Sequence, residues 1–245
     1  MSNNNEDIKP IRKTWLMIKR PAPIINTYIT DGLVADFRGE DGYVDRAWID
    51  RVSGYKFTPV SLSTAPVHDA TNKLYQSTSF GGMRANFMTG TTFTLEFVFR
   101  DVKNMTKASA SNYATLVGCN MSGWNATNGI YIQKRPTTEE LTTGIRNGTS
   151  SPSYVNHSFD NFINNGLDTI TIVVGVGFFH NGVKIGDCGT SMTSGNIGLF
   201  THYDQTNASS YKAKGKIHAV RKYNRALTAE EVMHNYQIDL NIYGA

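Results

Sequence analysis

Two short stretches of this chain combine an aromatic ring with planar amides or a carboxylate, the equipment that grips a sugar. Trp124 and Asn125 are followed by Asn128, and His202, Tyr203 and Asp204 are followed by Asn207. A pyranose presents an apolar face that stacks on a ring and a circle of hydroxyls that pairs with amides and carboxylates. These seven residues form the candidate glycan-binding set. The competing interpretation is that both rings plug loops, because a chain this rich in asparagine places an amide near most of its aromatic residues.

A third concentration lies between Pro10 and Pro21, where Arg12, Lys13, Lys19 and Arg20 flank Trp15, Leu16 and Ile18. Prolines 10, 21 and 23 exclude a long helix, and the apolar centre is too small for a core of its own. Residues 1–28 therefore read as an extended basic arm. Trp15, Leu16 and Ile18 are the candidate anchors on a partner protein, with the four cations at an acidic rim. The bland alternative is a solvated tail, a common fate of chain termini.

Other chemistry is missing from the pattern. Glu139–Glu140 and Glu230–Glu231 are adjacent pairs whose side chains diverge, and there is no G-x-S-x-G, no H-E-x-x-H and no glycine-rich phosphate loop. His157, His180 and His218 are scattered, which suggests neither a metal pair nor a proton relay. Asp36, Glu40, Asp41, Asp45 and Asp50 have the hard oxygens that calcium takes, but Arg38, Arg46 and Arg51 are interleaved and the spacing is not that of an EF-hand. That segment reads as a surface ion-pair loop, so no metal and no cofactor is expected. Cys119 and Cys188 stand far apart without a C-x-x-C and read as buried thiols.

The 24 Lys and Arg against 20 Asp and Glu leave a formal charge of +4, too mild to be a nucleic-acid footprint. No apolar run approaches the roughly 20 residues that span a bilayer, so membrane insertion is not expected. The first residues lack a basic-then-apolar signal pattern, so the expectation is synthesis in a cytoplasm. The N-x-[ST] sequons at Asn104, Asn120, Asn125, Asn147, Asn156 and Asn207 are then accidents of composition.

The elements that must position these residues are strands. Asn, Gly, Thr and Ser together supply 87 of the 245 residues, an excess that suits many strands joined by polar loops and excludes helical bundles. Phe93, Leu95, Phe97 and Phe99 alternate along one face of a strand that ends at Arg100. Residues 32–37, 113–117, 129–133, 169–174, 178–185, 198–201 and 215–223 continue the series. Asn181–Gly182 predicts a two-residue type I′ hairpin. One short helix starts at Thr228, which forms a capping box with Glu231 ahead of Val232, Met233 and Tyr236. The fold expected is all-β: one two-sheet antiparallel jelly-roll sandwich over 29–245, with a C-terminal helix and an N-terminal arm.

Five segments in order resemble the laminin-G-like, concanavalin-A-like jelly roll of bacteriophage structural proteins: 31–37, 48–54, 93–97, the Asn181–Gly182 hairpin and 215–231. The last is the most specific, a final strand running into Tyr223-Asn224-Arg225-Ala226-Leu227-Thr228-Ala229-Glu230-Glu231. In 48–54 the family's Trp-x-Asp-x-Ser-Gly pattern carries one extra residue. The resemblance implies a non-enzymatic virion protein, whether capsid decoration, head fibre or tail component, made in a bacterial host cytoplasm and present in many copies or as a homo-oligomer. The arm would bind other virion proteins. The alternative it leaves is a carbohydrate-binding module for host-surface glycans. A glycoside hydrolase is the weakest reading, because related jelly-roll glucanases carry Glu-x-Asp-x-x-Glu along one strand and this chain has no such string.

Overall fold

The computed structural model describes residues 27–89, 91–108, 113–119, 128–147, 153–162, 166–189, 194–201 and 211–244. The alternation that begins at Phe93 continues through Thr94, Glu96 and Val98 on the opposite face, and every one of these residues is buried. A strand buried on both faces needs a layer on each side. A second sheet covers one face of it and a helix the other.

In chain order the strands are β1 (Leu33–Arg38), β2 (Trp48–Ile49), β3 (Lys56–Pro59), β4 (Val67–Asp69), β5 (Leu74–Gln76) and β6 (Met83–Thr89). Then come β7 (Thr94–Arg100), β8 (Thr106–Lys107), β9 (Ala114–Cys119), β10 (Asn128–Lys134), β11 (Glu140–Asn147) and β12 (Ser153–Ser158). The last six are β13 (Leu167–Val173), β14 (Gly177–His180), β15 (Val183–Gly186), β16 (Ser194–Leu199), β17 (Ala213–Lys214) and β18 (Lys216–Tyr223), before helix α1 (Ala229–Tyr243). The first sheet runs β15-β14-β13-β7-β18-β5-β4, and the second runs β12-β11-β10-β9-β16-β6-β3-β2. Because β7 occupies one edge of β18, the other edge is shared end to end by β5 and β1. The strand pairs are antiparallel, as expected for a jelly-roll sandwich.

Between the sheets sits one large core in which Leu95, Phe97 and Phe99 meet Trp48, Phe57, Leu116, Ile130 and Ile132. Asn181 and Gly182 both take positive φ, 51° and 80°, as a type I′ hairpin requires. A side chain at Gly182 would also strike Met233 of α1 at 2.8 Å, so this turn admits only glycine. In the 48–54 segment Trp48 is fully buried and donates Nε1–H to the Arg38 carbonyl. The Asp50 carboxylate gathers the backbone N–H groups of Val52, Ser53 and Tyr55, which accommodates the extra residue in a closed turn.

The C-terminal helix differs from the short one expected, since it runs for 15 residues. Its start follows the sequence signal: Thr228 Oγ1 accepts from the Glu231 N–H at 3.2 Å while Glu231 returns a bond to the Thr228 N–H at 2.9 Å. Such a cap contributes on the order of 1 kcal/mol. The extra length was hidden because two of the inward positions after Val232 are polar, Asn235 and Asp239, and both are fully buried. They face an outer sheet surface that is polar too.

That surface holds a dry charge network. Arg221 reaches Glu96 at 2.9 Å and Asp239 at 2.6 Å, and all three side chains are fully buried. Asn235 donates to Glu96 at 3.0 Å and to the Tyr223 hydroxyl at 2.9 Å. Tyr28 donates its hydroxyl to Asp239 at 2.9 Å and lays its ring 4.1 Å from the Arg221 guanidinium. Tyr28, the last residue of the expected arm, is thus packed into the sandwich.

Candidate binding cleft

Three strands of the first sheet finish together. Lys216 opens β18 directly opposite both Gln76 of β5 and Arg100 of β7. Beyond Arg100 the backbone turns at Asp101, which takes a left-handed conformation with φ 59° and ψ 42°, and passes through a single helical turn, Val102–Asn104. A cleft of about 340 Å³ opens between that turn and the chain at 214–216.

Its charge is placed by local alternation. A side chain at Gly215 would meet Leu116 and Phe200 at 2.9 Å, so that position faces the core. Lys214 and Lys216, its neighbours, line the cleft on the other side. Lys214 Nζ rests 4.6 Å above the Phe80 ring, and Lys216 Nζ approaches Asp101 at 3.7 Å. Asn104 donates to the same Asp101 carboxylate at 2.7 Å. Arg100 donates to the Tyr243 carbonyl at 2.9 Å, which ties the cleft wall to the last turn of α1. Gln76, Thr78 and Thr106 add amide and hydroxyl groups, and Met105 an apolar patch. Arg100, Lys214 and Lys216 thus line one cleft with Asp101, which Lys216 approaches. Arg100 and Lys216 stand on directly opposed residues of β7 and β18, with Arg100 held by the Tyr243 carbonyl and Lys216 facing Asp101.

The expected site residues fall unevenly around this cleft. Of the glycan set, Trp124, Asn125, His202, Tyr203, Asp204 and Asn207 lie outside the described residues, and Asn128 is described only as the backbone start of β10, opposite Asn147. The described residues that flank the two segments lie at opposite ends of β9. Leu199 pairs with Val117 and the Phe200 N–H with the Leu116 carbonyl, so residues 202–210 connect at the N-terminal end of β9, where Lys212 bridges to Thr115. Residues 120–127 connect at the opposite end of β9. The chain returns from 202–210 at Tyr211, three residues before Lys214 of the cleft wall. Arg12, Lys13, Trp15, Leu16, Ile18, Lys19 and Arg20 also lie outside the described residues. Thr27, where description begins, accepts a bond from His234 of α1 at 2.9 Å.

The histidines require a correction, because two of them are not scattered. His157 and His180 meet edge to face at 5.7 Å, and His180 Nε2 stands 3.0 Å from Asp168. They come from β12, the edge strand of the second sheet, and from β14, whose neighbour β15 is the first sheet's edge strand and packs on β12; 22 residues of intervening sequence conceal this. Burial, with His180 adding to it, pushes the His157 pKa down to about 4. Burial likewise holds His218 at about 4, although it donates Nδ1–H to the Lys73 carbonyl at 2.8 Å. Both groups are enclosed, so they are structural.

The acidic segment is an ion-pair loop, with Arg38 on Asp36 at 2.8 Å and Arg51 on Asp41 at 2.7 Å. No group of three or more ligating side chains occurs among the described residues. Glu139 pairs with Lys134, Glu140 with Arg135, and Glu231 with Arg225. Cys188 is a buried free thiol whose pKa burial pushes up to about 11. No helix among the described residues is long and apolar enough to cross a membrane. The cleft residues Arg100, Asp101, Asn104, Lys214 and Lys216 were missed in the sequence. The signal that could have found them is the alternation Lys212-Ala213-Lys214-Gly215-Lys216, which sends three cations to one side.

No family model and no curated protein matches this chain. Solved structures do. The botulinum neurotoxin serotype D binding domain superposes with a TM-score of 0.59 at 12% identity, covering 84% of this chain and 52% of that one. The receptor binding domain of botulinum neurotoxin D gives 0.59 at 14% identity, with the same coverage. The binding domain of botulinum neurotoxin DC in complex with SialylT gives 0.58 at 13% identity, covering 84% of this chain and 51% of that one. The likeness is one of fold. This chain spans about half the length of those domains and shares their β-sandwich architecture.

Proposed function

We propose that this protein is a non-catalytic, lectin-like binding module whose working end is the cleft where β5, β7 and β18 finish. The observation that carries the reading is the convergence there of three cations, amides and hydroxyls beside the point where the 202–210 loop rejoins the sandwich. Carbohydrate recognition uses such loops on rigid scaffolds. Supporting it, the structural neighbours are binding domains, one in complex with SialylT and another described as interacting with two ganglioside molecules. Among the described residues that line the cleft Asp101 is the one carboxylate, whereas glycoside hydrolysis uses two.

A second part of the proposal concerns display. The segment 215–231 folds as a strand, a turn and a capped helix, the form that the resemblance to bacteriophage structural proteins implies. On this reading residues 1–28 tie the module to other virion proteins, and many copies stand on each particle.

The test is a pair of substitutions and a deletion. Tyr203→Ala, in the loop that returns beside the cleft, should weaken glycan binding at least tenfold, whereas Trp124→Ala, in the loop at the far end of β9, should change it less than twofold. Equal loss from both would overturn the placement of the site. Deleting residues 1–26, ahead of the packed Tyr28, should abolish incorporation into particles with folding unchanged; normal incorporation would sink the display reading.

A further inference from the structure

Along one side of the sandwich the edge strands β12 and β15 pack on each other through side chains, with no backbone ladder between them. We infer that this seam is an acid-operated latch, in which a proton on His157 parts the two sheet edges while the strands behind them stay paired. The device lies outside the cleft and needs no ligand.

Two kinds of contact hold the seam. Towards the start of β12, a side chain at Gly186 would stand 3.3 Å from Val155, and the Gly189 N–H donates to Ser153 Oγ at 2.9 Å. Towards its end, His157 meets His180 edge to face at 5.7 Å, and the Phe162 ring lies 6.0 Å from His157 and 4.5 Å from His180. The two imidazoles are not equivalent. His180 Nε2 has the Asp168 carboxylate at 3.0 Å, whereas His157 Nε2 is buried without a partner. A proton on His180 is therefore answered by a carboxylate. One on His157 would bury both a charge and an unanswered N–H beside a second imidazole.

Among the described residues, no packed element gives His157 a counter-charge. It faces His180 of β14 and, directly opposite on β11, Leu141; beyond Leu141 in the same row Lys134 of β10 adds a cation, held by Glu139 at 3.1 Å and by the Phe159 ring at 4.4 Å. Asp168 of β13 is engaged by His180, and α1 contributes Tyr236, whose hydroxyl feels the Asp168 charge. Burial, with His180 adding to it, holds His157 near 4 in the closed seam, against an ordinary value of 6.5 once it is open to water. The closed form is therefore favoured in full above about 6.5 and loses ground as the pH falls towards 4. Parting the edges breaks no ladder, because β12 keeps its pairing with β11 and β15 with β14. It would also uncover Cys188, a buried thiol that immediately precedes the Gly189 contact with β12.

That thiol is the reporter for the test. The full chain is labelled with 4,4′-dithiodipyridine, which reacts with thiols in acid, at pH 7 and pH 4.5; the label on Cys188 is located by peptide mass, and its rate is divided by that of free cysteine at the same pH. A shift from 6.5 to about 4 raises the opening equilibrium roughly 75-fold at pH 4.5, so the corrected rate should rise at least tenfold with the circular dichroism unchanged. His157→Phe keeps a ring against Phe162 and His180 but takes no proton, and should abolish the rise; His157→Gln should do the same and serves if the first variant does not fold. His218→Gln, which removes the other histidine held near 4, should leave the rise intact. Low urea should barely change the rate at pH 4.5, because parting the edges exposes far less surface than unfolding does. A rate that climbs steeply with urea, or a rise lost equally in the His157 and His218 variants, would overturn the latch in favour of global unfolding. A rise that survives both His157 variants, or no rise at all, would overturn it outright.

Discussion

Strands β7 and β18 carry two charge clusters about four residues apart, and the two have opposite characters. In the middle of the pair, Glu96 opposes Arg221 in register, and α1 closes over them with Asp239, Asn235 and Tyr28. At the end of the pair, Arg100 opposes Lys216, and the space above them is a cleft. The first cluster matches opposite charges in a dry environment and binds the helix to the sheet. The second sets like charges together at a wet edge. Charges matched in a dry interior hold a fold together, whereas charges at an open edge share their field with solvent and contribute less to stability.

The largest effect should come from breaking the dry cluster. Arg221→Met leaves two buried carboxylates without their cation and should cost roughly 3–5 kcal/mol, read from urea unfolding. Burial drives the Glu96 and Asp239 pKa values upward, with the Asp239 charge adding to it at Glu96, and Arg221 opposes this. Replacing all three charges with apolar residues should recover most of the loss. A cost below about 1 kcal/mol for the single change would erase the distinction between the clusters.

Acid should produce the next effect, again confined to buried groups. His157 and His218 are held near 4 when folded, against 6.5 as the ordinary value, so the unfolded chain takes up protons first as the pH falls. Their contribution is complete above about 6.5 and is lost between there and about 4, at most about 3 kcal/mol for each group at 1.36 kcal/mol per unit. Urea midpoints at pH 7 and pH 4.5 should differ accordingly, and His157→Gln should shrink the difference. Identical midpoints would contradict the burial of both rings.

The smallest effect on stability should belong to the cleft. Lys214→Gln/Lys216→Gln removes half-exposed charges and should move the unfolding free energy by less than about 0.5 kcal/mol. A rise is as acceptable as a fall, because one like-charge opposition disappears. A loss of 2 kcal/mol would class these lysines with Arg221 as structural.

Much of the sandwich was legible in the residues. Alternation from Phe93 to Arg100, the Asn181–Gly182 turn and the Thr228–Glu231 box are local signals, each decided by neighbours in sequence. The helix length escaped notice because Asn235 and Asp239 occupy inward positions that an apolar pattern leaves unmarked. The meeting of His157 with His180 escaped for a different reason, since it depends on where two sheet edges converge. Of the candidate site, the aromatic loops were legible as composition, but nothing local says that 202–210 connects at one end of β9 and 120–127 at the other.

The sequence by itself determined the strand-rich sandwich, the hairpin, the helix cap and the absence of a paired-carboxylate string, because each follows from residue type and short spacing. Only the tertiary structure decided which charges meet in the dry interior and which stand at an open edge. Glu96, Arg221 and Asp239 lie up to 143 residues apart and become a closed network through antiparallel register and a helix laid across it. Arg100, Asp101 and Lys216 become a cleft because three strand ends arrive at one place. Long-range pairing sets the distance between charges, and with it whether a charge is neutralised or remains available to a ligand.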